Sequence, residues 1–103
     1  MLIVTTETIP DRSYEVLGLV QGSTIQTVNV VRDIGSGLKT LIGGELTKYT
    51  DMMAKARQLA TDRMAEEAAR MGADAVVCVR YSSASVMQSA AEVMAYGTAV
   101  RLK

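Results

Sequence analysis

The chain has no histidine, no phenylalanine and no tryptophan, and only one cysteine and one proline. Without histidine, one copy offers no Ser–His or Cys–His pair for nucleophilic catalysis. One cysteine and no histidine also cannot build a zinc site within a subunit. The lone Cys78 rules out an internal disulfide, and with it the framework of a small secreted domain. Four tyrosines are the only aromatics, so the core must come from Val, Ile, Leu, Ala and seven Met. Neither sign of charge dominates: eleven basic residues face eleven acidic ones. That leaves no electrostatic footprint for nucleic acid or for an anionic membrane, and little repulsion against self-association. No apolar run approaches the ~20 residues of a membrane helix. The opening "MLIVTTE" lacks the basic region of a signal peptide. The expectation is a soluble cytoplasmic protein, with no nucleic-acid and no membrane partner.

At 103 residues, one domain spanning 1–103 is the default. "MLIVTT" (1–6) reads as a short strand, and "IPDRS" (9–13) as a loop around the only proline. "YEVLGLVQGSTIQTVNVV" (14–31) is rich in strand formers. Gly18 and Gly22 within it mark a bulge or a close backbone approach, with either one bent strand or a kink near Gly22. Val31, Ile34, Leu38, Leu41 and Ile42 recur at helical spacing, weakened by Gly35 and Gly37 and ended by Gly43-Gly44.

The clearest element is a long helix over 47–71. Tyr49, Met52, Met53, Ala56, Leu59, Ala60, Met64, Ala68 and Met71 form one apolar stripe. Thr47 or Thr50 can cap its start and Gly72 its end. Residues 73–86 and 90–102 read as two strands joined through "MQS" as a hairpin. The order is strand, long strand, short helix, long helix, strand, strand, which is an α+β pattern.

The last strand shows Met94, Tyr96, Val100 and Leu102 on one face and Ala91, Val93, Ala95, Gly97 and Ala99 on the other. A sheet with one helical layer needs only one apolar face. Two apolar faces need two covers, supplied by the short helix or by another copy of the chain. A homo-oligomer is therefore favoured over a monomer, and the Ala/Gly face would let a partner come close.

Chemistry is harder to find. "GSGLKT" (35–40) is out of register for a phosphate-binding loop, because Leu38 separates Gly37 from Lys39. Cys78 sits in an apolar strand, where a thiol is an inert small hydrophobe. Thioethers can bind soft metals, but methionine at helical spacing reads first as core filler. No catalytic constellation emerges, and the expectation is a protein that is not an enzyme. Polar residues at element junctions remain: Arg32 and Asp33 after the long strand, Glu45 after the double glycine, and Arg80 within an apolar strand. An Arg–carboxylate pair there would be structural or would line a pocket.

"GLVQG" (18–22), "VRDIGSGLKTLIGGEL" (31–46), Tyr49, "KARQLATDRMAEEAARMGADAVVCVRY" (55–81) and "GTAV" (97–100) together resemble the YbjQ-like family, whose label is heavy-metal binding. The resemblance runs in order over nearly the whole chain. It implies a small antiparallel sheet packed against one long and one short helix. It also implies a ring-like homo-oligomer, a pentamer, so that the chain's first partner is itself. A metal-ion cofactor is implied by the label alone, since one chain shows no ligand set for it. Arg32, Asp33, Gly43, Gly44, Glu45 and Tyr49 are then the candidate inter-subunit ligand or packing positions. Three functions stay open: a ring holding a metal ion or small ligand between subunits, an interaction module presenting a ring surface, and, last, an enzyme with a composite site.

Overall fold

The computed structural model describes residues 1–27, 44–87 and 90–103; for 44–49 it describes the backbone only. The elements in these segments are β1 (Leu2–Ile3), β2 (Tyr14–Thr27), α1 (Gly44–Arg70), β3 (Ala75–Met87) and β4 (Ala90–Leu102). The short helix expected over 31–42, its glycines Gly35 and Gly37, and the turn residues Gln88 and Ser89 lie outside the described residues.

The strands form one sheet in the order β1-β3-β4-β2. β2 and β3 each run antiparallel to β4, as a hairpin-rich α+β pattern leads one to expect. β1 departs from the expected all-antiparallel sheet, because it pairs parallel with β3, Leu2 opposite Ala75 and Ile3 opposite Val76. The parallel sense follows from chain order, since β2 and the long helix lie between the two strands and carry the chain back to the same end.

The expected first strand, 1–6, is regular only to Ile3. Its backbone still follows β3. Val4 donates to Val76 at 2.9 Å, Val79 donates to Val4 at 3.1 Å, and Cys78 donates to Thr6 at 3.1 Å.

α1 starts at Gly44, earlier than the helical stripe alone indicates, so Thr47 and Thr50 lie inside it and not at its cap. Its C-terminal end follows the sequence signal. Gly72 adopts φ +82°, Ala73 donates to Ala68 at 3.0 Å and Gly72 donates to Ala69 at 3.0 Å. This is a Schellman ending, which needs a residue that tolerates the left-handed region.

The buried seam of α1 is narrower than the expected stripe. Ala56, Ala60, Met64 and Ala68 are fully buried, one every four residues, whereas Leu59 and Met71 are exposed. Three alanines in four seam positions bring the helix backbone close to the sheet. At Gly22 on β2, an added Cβ would collide with Met64 N, Ala60 O and the Arg63 carbonyl carbon. Gly22 is thus the close-approach glycine, and β2 runs through it without a kink, in register with Ala95. Gly18 carries the other expected role, with φ +146° at the bulge between Val16 and Gly18.

The small-residue face of β4 is covered by the chain's own helix. Val93, Ala95 and Ala99 are buried with Val20, Val76 and the α1 seam. The expectation that this face receives a partner is corrected accordingly: its small side chains exist to admit α1.

Part of the opposite face also has a cover from within the chain, and it comes from the segment read only as a strand end and a loop. Ile9 packs with Ala75, Val77 and Val100, flanked by Val4, Tyr14, Cys78 and Leu102. Pro10 and Asp11 turn the chain there, with Asp11 at φ +59° and Arg12 donating to Ile9 at 3.2 Å. The Tyr14 hydroxyl donates to the Glu7 carbonyl and ties the segment down.

Candidate functional site

Of the positions singled out from the sequence, Arg32, Asp33 and Gly43 lie outside the described residues. Gly44, Glu45 and Tyr49 occupy the first two turns of α1. Arg80 is placed by β3 opposite Tyr96, on the face away from the helix. It is exposed, and its guanidinium donates to the Thr5 carbonyl at 3.1 Å and to the Val79 carbonyl at 3.0 Å. Its job is structural, since it pins the N-terminal segment alongside β3.

Cys78 is less ordinary than an apolar strand position implies. It has φ +56° and sits where β3 slips register, with Val77 opposite Thr98 and Arg80 opposite Tyr96. The slip is a β-bulge. It turns Val79 onto the helix-facing side with Val76, which closes the core beside Gly97. The thiol is partly buried in the Ile9 cluster. A left-handed conformation costs an L-residue roughly 1–2 kcal/mol, and for a β-branched one it is an outlier. Cys78 already bears that cost, so Cys78→Val, the choice that strand propensity recommends, adds only the further penalty of a β-branched side chain and should lower stability by about 1 kcal/mol. A urea-unfolding midpoint unchanged from wild type would contradict the bulge.

The methionines divide. Met64 is fully buried in the core, Met53 packs on its margin, and Met71 is exposed near the Gly18 bulge. Met64 serves as the filler that an aromatic-poor chain needs. Among the described residues, no three His, Cys, Asp or Glu side chains group as a metal site.

What the fold does assemble is an open surface. Beyond the Ile9 cluster, the face away from α1 carries Leu19 and Ile25 from β2, Tyr96 from β4 and Arg80 from β3. Val16, Leu19 and Ile25 are 62%, 68% and 58% exposed. β3 shows the same openness differently: every residue from Arg80 to Met87 is exposed, on both faces. α1 lies mainly over β2 and β4 and touches β3 little, with Tyr81 bonded to Thr61 through their hydroxyls at 2.8 Å. The described residues extend 55 × 22 × 15 Å with a Cα radius of gyration of 17.1 Å, against about 13 Å for a compact chain of this length. Among the described residues, the part of the face away from α1 that lies beyond the Ile9 cluster has no cover. Sequence patterning foresaw two apolar faces but could not say which one the helix takes.

These features define an α+β class, one long helix laid over a four-stranded sheet. A crystal structure of a protein of unknown function from Pediococcus pentosaceus, assigned to the DUF74 family, has the same fold. Its TM-score is 0.68 at 16% identity, covering 100% of this chain and 98% of that one. The chain belongs to the YbjQ family, described as "Putative heavy-metal-binding", whose model matches residues 1–103. It is 54% identical over 102 residues to a UPF0145 protein of Clostridium novyi, covering 99% of each chain. A UPF0145 protein of Thermus thermophilus is 53% identical over 104 residues, covering 100% of this chain and 91% of its own length. The resemblance drawn from the double glycine, the long helix and the terminal "GTAV" is thereby borne out. No helix among the described residues is long and apolar enough to cross a membrane.

Proposed function

We propose that the protein works as a cytoplasmic ring of identical subunits whose clefts between copies hold a metal ion or a small ligand. The observation that carries this reading is the part of the outer face left uncovered among the described residues, with Val16, Leu19 and Ile25 each more than half exposed. Several large apolar side chains exposed on one face of a sheet point to an interaction site. A net charge of zero opposes no self-association. The count of five subunits comes from the family resemblance, and the metal from the family's description. A ligand site in such a ring draws on more than one copy, because a single chain has no histidine and one cysteine.

The alternative reading is an interaction module that presents the ring's surface to other proteins. It is favoured by the exposed Val86 and Met87 near the end of β3, which lie away from the core. Neither reading requires catalysis.

Native mass spectrometry of protein purified without chelator or affinity metal separates the two. A ring mass with a stoichiometric added mass is expected, and the added mass identifies the ligand. A bare ring transfers the assignment to the interaction module. A monomer refutes the ring.

A further inference from the structure

We propose that the outer edge of β2 from Gly18 to Thr27 docks against the open edge of β3 from Tyr81 to Ser85 in a second copy, so that the sheet continues from subunit to subunit. This rests on the ring reading above and says where its seam lies.

Besides the outer side of the two-residue β1, the sheet has two free edges within the described residues. β2 is terminal and pairs only with β4. β3 is flanked by β1 and the N-terminal segment only as far as Val79, so beyond it the strand has β4 on one side alone. A strand edge carries a row of unpaired N–H and C=O groups. Monomeric proteins blunt such edges with charge, proline, bulges or short length. Neither window here is blunted that way. "GLVQGSTIQT" (18–27) and "YSSAS" (81–85) contain no charged residue and no proline. The register of β2 is unbroken from Gly18 to Thr27, and that of β3 from Arg80 to Ser85; the bulges fall outside both windows. One carbonyl in the β2 window, that of Ser23, is already capped by the Arg63 guanidinium at 2.7 Å.

The occupant is a second copy because the two open edges lie on different strands of one chain. Joining β2 of one copy to β3 of the next is a heterologous contact, the kind that closes rings. Pairing β3 with β3, or β2 with β2, is isologous, gives a dimer and leaves the other edge open. The side chains on the outer face also fit a covered edge. Leu19 or Ile25, exposed in one copy, would lie beside the small Ser82 or Ala84 of the next.

Amide hydrogen exchange on the assembled protein tests the seam. On a free edge, alternate amides face solvent and exchange fast. In the seam, every amide from Tyr81 to Ser85 and most from Gly18 to Thr27 are bonded, and the formerly open ones should slow at least about 100-fold. A ring in which either window keeps its alternation overturns the proposal while leaving the ring reading intact. A monomeric mass overturns both. Ser82→Pro and Ser83→Pro give an independent check. One of these two neighbouring N–H groups faces β4 and the other faces the open edge. The open-edge variant should keep its circular dichroism and lose the ring mass. If that variant folds and still assembles, the seam is refuted. If neither variant folds, the exchange pattern of the wild-type ring decides.

Discussion

Gly22→Ala should lower the stability of the fold by about 3 kcal/mol, at the upper end of what overpacking costs. The usual reasoning about a strand glycine points the other way, since alanine restricts the unfolded chain and gains β propensity. Here the added methyl has nowhere to go. Its nearest neighbours are Met64 N, Ala60 O and the Arg63 carbonyl carbon, the last at 2.8 Å. All three are backbone atoms of a continuous helix, so no side-chain rotation relieves them. To admit the Cβ, α1 must lift from β2 as a rigid body, and the contacts of Ala56, Ala60, Met64 and Ala68 loosen together. Urea unfolding followed by circular dichroism measures this directly. A change below about 1 kcal/mol would mean that the helix does not lie so close to the strand.

Met64→Ala comes next, with an expected loss of about 2–5 kcal/mol. Met64 is the largest fully buried side chain of the described residues. On α1 the other members of its buried seam are alanines, too small to fill the space it leaves. That places the cost nearer the top of the range. Met64→Leu should keep most of the stability, because the swap nearly conserves volume. The pair of variants separates packing from sulfur chemistry. If Met64→Leu fell as far as Met64→Ala, a role for the thioether itself would follow, and the filler assignment would be wrong.

How much of this was legible in the residues varies with the range of the forces involved. α1 was readable because a 3.6-residue period and a C-terminal Gly72 are local signals, and local backbone geometry decides both. Its start was misread by a few residues because helix beginnings depend on what the preceding chain does. Gly18 and Gly22 were recognised as special. Only the sheet register showed that the first makes the bulge and the second makes room for the helix. Cys78 gave no warning. A cysteine among valines looks like any strand position, and its left-handed backbone is imposed by the parallel N-terminal segment and Gly97 on either side.

The site was less legible than the fold. Arg32, Asp33 and Gly43 lie outside the described residues. Arg80, singled out as a polar interruption, holds the N-terminal segment through Thr5. The open edges were not visible in any local pattern, and alternation showed a second apolar face without showing that, among the described residues, it stays uncovered beyond Ile9. Composition alone established that one chain has no Ser–His or Cys–His pair and no Cys/His zinc set, since those depend on which residue types are present. Tertiary structure decided that α1 takes the Ala/Gly face of β4 and Ile9 half of the other. Which of two apolar faces a helix covers is a contest between long-range packings. Small residues won it here, because dispersion contacts reward the closest approach and only alanine and glycine permit it.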